Sequence, residues 1–274
     1  MRFVKSLIAA GTASVFSTMA FAADLPIAEV PMYGPLVADF GGWYLRGDIG
    51  MTNQRMNSLN NPDPNAPLFT SVGMGFDSSP LFDLGVGYQF NNWFRADLIA
   101  QWRGRATFHG SQFTDAFAGS ALVNNYSGSK SEAVFMVNGY VDLGTWWYVT
   151  PFIGAGIGTS WNRISSFRDD GFGNTFGVAN PVSVVYAADN GKWNFAWALH
   201  AGLAYRVTPN VTIELAYAYM NLGDATTGFN SNFGGTATPQ FAWTMHDLTS
   251  HDLMLGVRWN LENPLPPPPL ISKG

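Results

Sequence analysis

The sequence has no cysteine, which excludes disulfides, thiolate catalysis and cysteine metal sites. It also has little charge. Only 12% of its 274 residues are Asp, Glu, Lys or Arg, against roughly 25% in an ordinary soluble domain. Lysine is scarcest: after the first 22 residues only Lys130, Lys192 and Lys273 occur. The net charge of −5 argues against a nucleic-acid partner. Beyond the N-terminus no stretch approaches the roughly 18–20 apolar residues of a membrane helix. Aromatic residues, by contrast, are abundant at 15%.

The chain opens with Arg2 and Lys5, then an apolar run from Leu7 to Phe21, then Ala20-Phe21-Ala22. That order is the pattern of an export signal cut after Ala22. Residues 23–41 carry Pro26, Pro31 and Pro35 and read as an extended periplasmic leader. Alternation with a period of two begins at Trp43, the sign of strands with two unlike faces. It recurs over 43–51, 82–90, 94–103, 132–143, 153–161, 194–206, 211–219 and 252–261. Eight segments of about ten residues match the 9–11 that a tilted strand needs to cross a bilayer.

Short connections at 91–92, 144–148 and 207–210 alternate with long ones at 54–79, 104–130, 162–192 and 221–249. Outer-membrane barrels alternate in this way between short periplasmic turns and long external loops. The scarcity of lysine argues that the apolar phase faces lipid and the polar phase a narrow interior. Tryptophans collect at strand ends: Trp43, Trp93, Trp146, Trp147 and Trp259 on the short-turn side, Trp102, Trp161 and Trp193 on the other. These are the expected interfacial girdles. The expected fold is therefore all-β: an eight-stranded antiparallel up-and-down transmembrane barrel over residues 42–261.

The stretch "GGWYLRGDIG" spells an adhesive tripeptide at Arg46-Gly47-Asp48. Strand phase turns Arg46 and Asp48 inward instead. The same count sends Arg95, Arg103, Arg206 and Arg258 inside with Asp83, Asp97, Glu132, Asp142, Glu214 and Asp252. Charges withdrawn from water need partners, and arginine can serve two carboxylates at once. An interior ion-pair network follows, with a structural role.

"GWYLRGDIG" near the N-terminus, the eight strands and the closing "HDLMLGVRWNL" resemble the small eight-stranded outer-membrane proteins of alphaproteobacteria, relatives of OmpA-type and opacity-type barrels. The resemblance covers roughly 42–261. It implies a cell outer-membrane location, contact with membrane lipid and lipopolysaccharide, and insertion by the outer-membrane assembly machinery with the last strand as signal. It further implies an envelope-supporting surface protein; some members are antigens, adhesins or haem binders. This chain departs from the pattern in continuing past the last strand with "ENPLPPPPLISKG" (262–274), a stiff polyproline II tail facing the periplasm.

Few residues suggest chemistry. His109, Ser111 and Asp115 have the types for acyl transfer but not a recognised spacing. His246-Asp247 and His251-Asp252 could offer ligands, yet on a strand the two histidines face opposite sides. His200 points inward and suits a hydrogen-bonded interior role. An eight-strand interior is filled by side chains, so an open pore is not expected; a narrow low-conductance pore is an alternative to the structural reading. The expectation is a non-enzymatic barrel with no cofactor. Its loops carry Phe113, Phe117, Phe172, Phe176, Phe229 and Phe233, which are candidates for contact with a host molecule or small ligand.

Overall fold

A computed structural model describes residues 41–60, 69–117, 120–232 and 241–261. The signal segment, most of the leader, the proline-rich tail and Phe233 lie outside the described residues.

Among the described residues, thirteen antiparallel strands form one sheet: β1 (Gly42–Arg55), β2 (Ser58–Asn60), β3 (Thr70–Phe76), β4 (Ser79–Gln89), β5 (Phe94–Phe117), β6 (Ser120–Asp142), β7 (Val149–Thr175), β8 (Val178–Ala179), β9 (Ser183–Ala187), β10 (Asn190–Arg206), β11 (Val211–Thr226), β12 (Asn230–Asn232) and β13 (Thr244–Asn260). Eight of them close a ring. Its order is β1-β4-β5-β6-β7-β10-β11-β13, and β13 returns to β1 with Tyr44 opposite Asn260. Closure leaves these eight strands no free edge in the membrane, where an unpaired backbone group is costly. The turns at 91–92, 144–148 and 207–210 are short, as the sequence indicates. At the second, Gly144, Trp147 and Tyr148 take positive φ.

Polarity is inside out. On β1, Tyr44, Arg46, Asp48, Thr52 and Gln54 are buried, whereas Trp43, Leu45, Ile49 and Met51 are exposed. Small residues let the inward side chains fit. A Cβ at Gly87 would lie 2.2 Å from the Tyr44 ring, and one at Gly256 only 1.8 Å from Asp48 Oδ1. We expect Gly87→Val to destabilise the barrel by about 1–3 kcal/mol through overpacking. A urea titration of the refolded variant would test this, and unchanged stability would contradict the close approach.

The largest departure from the sequence reading lies in the long connections. Those at 104–130 and 162–192 are mostly strand. β5 and β6 pair from Phe94–Val141 to Phe117–Ser120, and β7 runs on to Thr175. From Trp102 to Phe117, β5 adds about 50 Å of strand beyond the upper tryptophans. Its pattern also reverses. Below Trp102 the inside is polar and the outside apolar. Above it Ala106, Phe108, Tyr126, Ile164, Phe167 and Trp243 are buried, while Arg105, Thr107, His109 and Arg168 face out. The reason is the surroundings: lipid below and water above, so the apolar face changes sides. Bulges at 103/106 on β5 and 127/129 on β6 sit near the reversal.

Candidate functional site

The barrel interior holds two tiers of charge. In the tier nearer the short turns, Arg46 donates to Asp48 at 2.8 Å and to Asp97 at 2.9 Å, and its Nη1 also meets the Tyr140 hydroxyl at 2.9 Å. Glu214 lies 3.4 Å from Arg95, 3.3 Å from Arg258 and 3.8 Å from Arg46. Arg95 also reaches Asp142 at 3.3 Å. Its guanidinium stands 4.3 Å from the Tyr140 ring centroid and 4.7 Å from that of Phe152. These rings cover the cation faces while carboxylates take the edges.

In the upper tier Arg103 pairs with Asp252, lies 3.5 Å from Glu132 and donates to Ser250 at 2.8 Å and Gln101 Oε1 at 2.9 Å. Gln101 in turn donates to Asp83 at 3.1 Å. Lys130 pairs with Glu132 and donates to Gln54 at 2.8 Å. Between the tiers a void of only about 10 Å³ lies among Tyr140, Phe152, His200, Met220 and Met254, room for one water at most. His200 shares a hydrogen bond with Asn138 Oδ1 at 3.2 Å.

Sequence counting erred on two interior cations. Arg206 shares the inward phase of β10 but is exposed. It ends the strand, where its amide donates to Tyr148 at the rim, so its side chain reaches water. Lys130, which the sequence reading leaves in a loop, is fully buried. Its inward place becomes visible only if the alternation of β6 is extended back through Glu132 and past Ser131.

Aromatic residues mark two outer levels. Trp43, Trp93 and Trp259 are about half exposed, Trp146 and Trp147 more so, at the short-turn end. Trp102, Trp161 and Trp193 stand at the other level, where Trp102, Ala133, Trp161 and Trp193 are successive register partners. Eight residues separate Phe94 from Trp102 and His251 from Trp259. That is about 26 Å along a strand and about 20 Å along the axis at a ~40° tilt, suited to the apolar band of an outer membrane.

Above the upper level an apolar core fills the extension. Phe167 packs on Trp243 with centroids 4.9 Å apart, and Phe241 on Trp243 at 5.1 Å. Of the loop phenylalanines singled out from sequence, Phe113, Phe172, Phe176 and Phe229 are not in this core. Phe113 and Phe172 flank Val123 on the outward face, and Phe229 is exposed. Phe176 is 79% exposed at the tip of the β7–β8 hairpin, with φ 52° followed by Gly177 at 80°. Phe117 is the last residue of β5.

The catalytic and ligand candidates are dispersed. His109 lies 3.9 Å from Asp77, and Ser111 donates to Asn125 at 2.7 Å. His246 is 3.5 Å from Asp224 at the barrel mouth. His251 faces outward, with its Nδ1 2.6 Å from the Tyr217 hydroxyl, while Asp252 faces in. At the mouth, burial alone would raise the Asp224 carboxyl, but the Asp247 amide, Lys192 and His246 outweigh it and hold the group below the usual range. Asp115 lies on β5.

The profile of the outer membrane protein beta-barrel domain matches residues 8–260. The chain belongs to that family. This outer-membrane barrel is 30% identical over 238 residues to a candidate adhesin of Rickettsia bellii, covering 82% of this chain and 91% of that one. It is 30% identical over 224 residues to an uncharacterized Brucella suis protein, covering 74% and 76%. It is 31% identical over 180 residues to the Salmonella typhimurium outer membrane protein PagN, covering 64% and 70%. Among solved structures, the Neisserial surface protein A aligns over 80% of this chain and 97% of its own, with TM-score 0.41 and 14% identity. The cell outer membrane is thus the location of the barrel, and lipid its surroundings.

Proposed function

We propose that this barrel is a non-enzymatic surface protein. In this reading the sealed lower half anchors and stiffens the envelope, and the sheet above the membrane presents a contact surface. The observation that carries it is the filled interior, with two charge tiers below and an aromatic core above. The interior ion pairs serve as cross-braces between strands distant in sequence, such as Arg103 on β5 and Asp252 on β13. Assembly machinery that recognises the last strand would insert it, and the export signal would bring it there.

A planar-bilayer recording tests the sealing. Conductance is expected to be small or absent, and any leak cation-selective. In the two charge tiers, seven buried carboxylates (Asp48, Asp83, Asp97, Glu132, Asp142, Glu214, Asp252) outnumber five buried cations (Arg46, Arg95, Arg103, Lys130, Arg258). A large, non-selective current would overturn the reading.

The second reading is adhesion. It is favoured by the exposed Phe113, Phe172, Phe176 and Phe229 on the far sheet and by the Rickettsia relative named as a candidate adhesin. Bacteria displaying the barrel would then bind host cells, and Phe172→Ser with Phe176→Ser would reduce binding. Binding equal to that of bacteria without the barrel would remove this reading. A haem titration of the folded protein addresses the small-ligand possibility.

A further inference from the structure

The outward face of the sheet changes character in one step above the Trp102–Ala133–Trp161 row. Ser131 is registered with Arg163, and Arg105 sits in the bulge between the pairs Arg103/Glu132 and Ala106/Lys130. Arg105, Ser131 and Arg163 therefore lie side by side on β5, β6 and β7. The next outward row is Thr107, Ser129 and Ser165, and the one after holds His109, Ser127 and Arg168. This is a face of hydroxyls and cations on the outside of the wall.

Its carboxylates are few and occupied. Asp189 accepts from Arg163 Nη2 at 3.0 Å and from the Ser166 amide at 3.1 Å. Asp170 pairs with Arg168 at 2.8 Å, and Asp77 stands 3.9 Å from His109. Arg105 is exposed and has no carboxylate partner among the described residues.

The membrane determines what lies beside this face. Tryptophan rings mark headgroup depth, and Arg163 lies about 7 Å beyond Trp161 and Arg105 about 10 Å beyond Trp102 along their strands. In the outer leaflet of an outer membrane, that depth is occupied by the phosphates and sugars of lipopolysaccharide. Arginine's fork suits a phosphate in two-point contact, and neighbouring hydroxyls suit sugar oxygens. We propose that Arg105, Ser131 and Arg163 form a phosphate-binding edge for lipopolysaccharide on one side of the barrel. Arg163 meets the lipid phosphate in exchange for part of its contact with Asp189. The inference rests on the outer-membrane location and is independent of any adhesive role.

The test compares the refolded protein in phosphatidylethanolamine vesicles alone, with bisphosphorylated lipid A, and with lipid A stripped of phosphate. The readout is the temperature at which the compact gel band is lost. Bisphosphorylated lipid A is expected to raise it, and the stripped lipid and free inorganic phosphate are not. The double variant Arg105→Ala/Arg163→Ala should lose the rise, with affinity about fivefold weaker for each arginine removed. Arg206→Ala, at the opposite rim, should keep it. Because both substitutions are exposed, the double variant should still show the compact band and a β spectrum. A rise that survives in the double variant, or that stripped lipid A reproduces, would overturn the proposal.

Discussion

Arg103→Met is expected to cost about 3–5 kcal/mol of folding stability, the range for removing one partner of a buried ion pair. Arg103 is fully buried and touches four strands through Thr52, Glu132, Met220, Ser250 and Asp252. Without it, Asp252 loses its cation in a place that water does not reach, whereas Glu132 keeps Lys130. Methionine replaces the volume but none of the donors. The buried network is not therefore a large net source of stability, because desolvation offsets most of the attraction. The cost arises from stranding the partner, so Arg103→Met with Asp252→Leu should recover a good part of it. Urea titration in vesicles, read by the compact gel band, measures both. A single-variant loss under about 1 kcal/mol would mean that Asp252 finds another cation or takes up a proton cheaply.

Leu255→Arg should cost about 2–4 kcal/mol, the value for an arginine at the bilayer midplane of a barrel. Leu255 faces out at 52% exposure, opposite Ile49 on β1 and Leu215 on β11. It is four residues from both Trp259 and His251, midway between the aromatic levels. The same change at Thr107, two rows beyond the alternation's last tryptophan on β5, should cost about 0–1 kcal/mol, as near an interface. Equal costs at the two sites, measured by the same titration, would mean that lipid does not occupy the band between the tryptophan levels.

The RGD triplet illustrates what was legible locally. Strand phase alone turns Arg46 and Asp48 inward, and in the fold they are buried and bonded to each other. Phase is a local property, since neighbouring side chains point to opposite faces. It misleads where a strand ends, as at Arg206, or where the environment outside the wall changes, as above Trp102. There the alternation continues through Ala106 and Phe108 against Thr107 and His109, but with polarity reversed. A search for one constant pattern reads that stretch as loop. Trp243 was missed for a related reason: it precedes β13, and its burial depends on Phe167 and Phe241 reaching it from other segments.

Local sequence pattern specifies the number of membrane strands, which face of each meets lipid, and the order of short and long connections. All three follow from period-two alternation and turn residues within a few positions of each other. Which arginine meets which carboxylate, that the long connections continue the sheet, and that Arg105 and Arg163 flank Ser131 emerge only when the strands are brought together. Those depend on the stagger between strands far apart in the chain and on where lipid gives way to water. A one-residue change in register would redistribute every contact while leaving the sequence pattern unaltered.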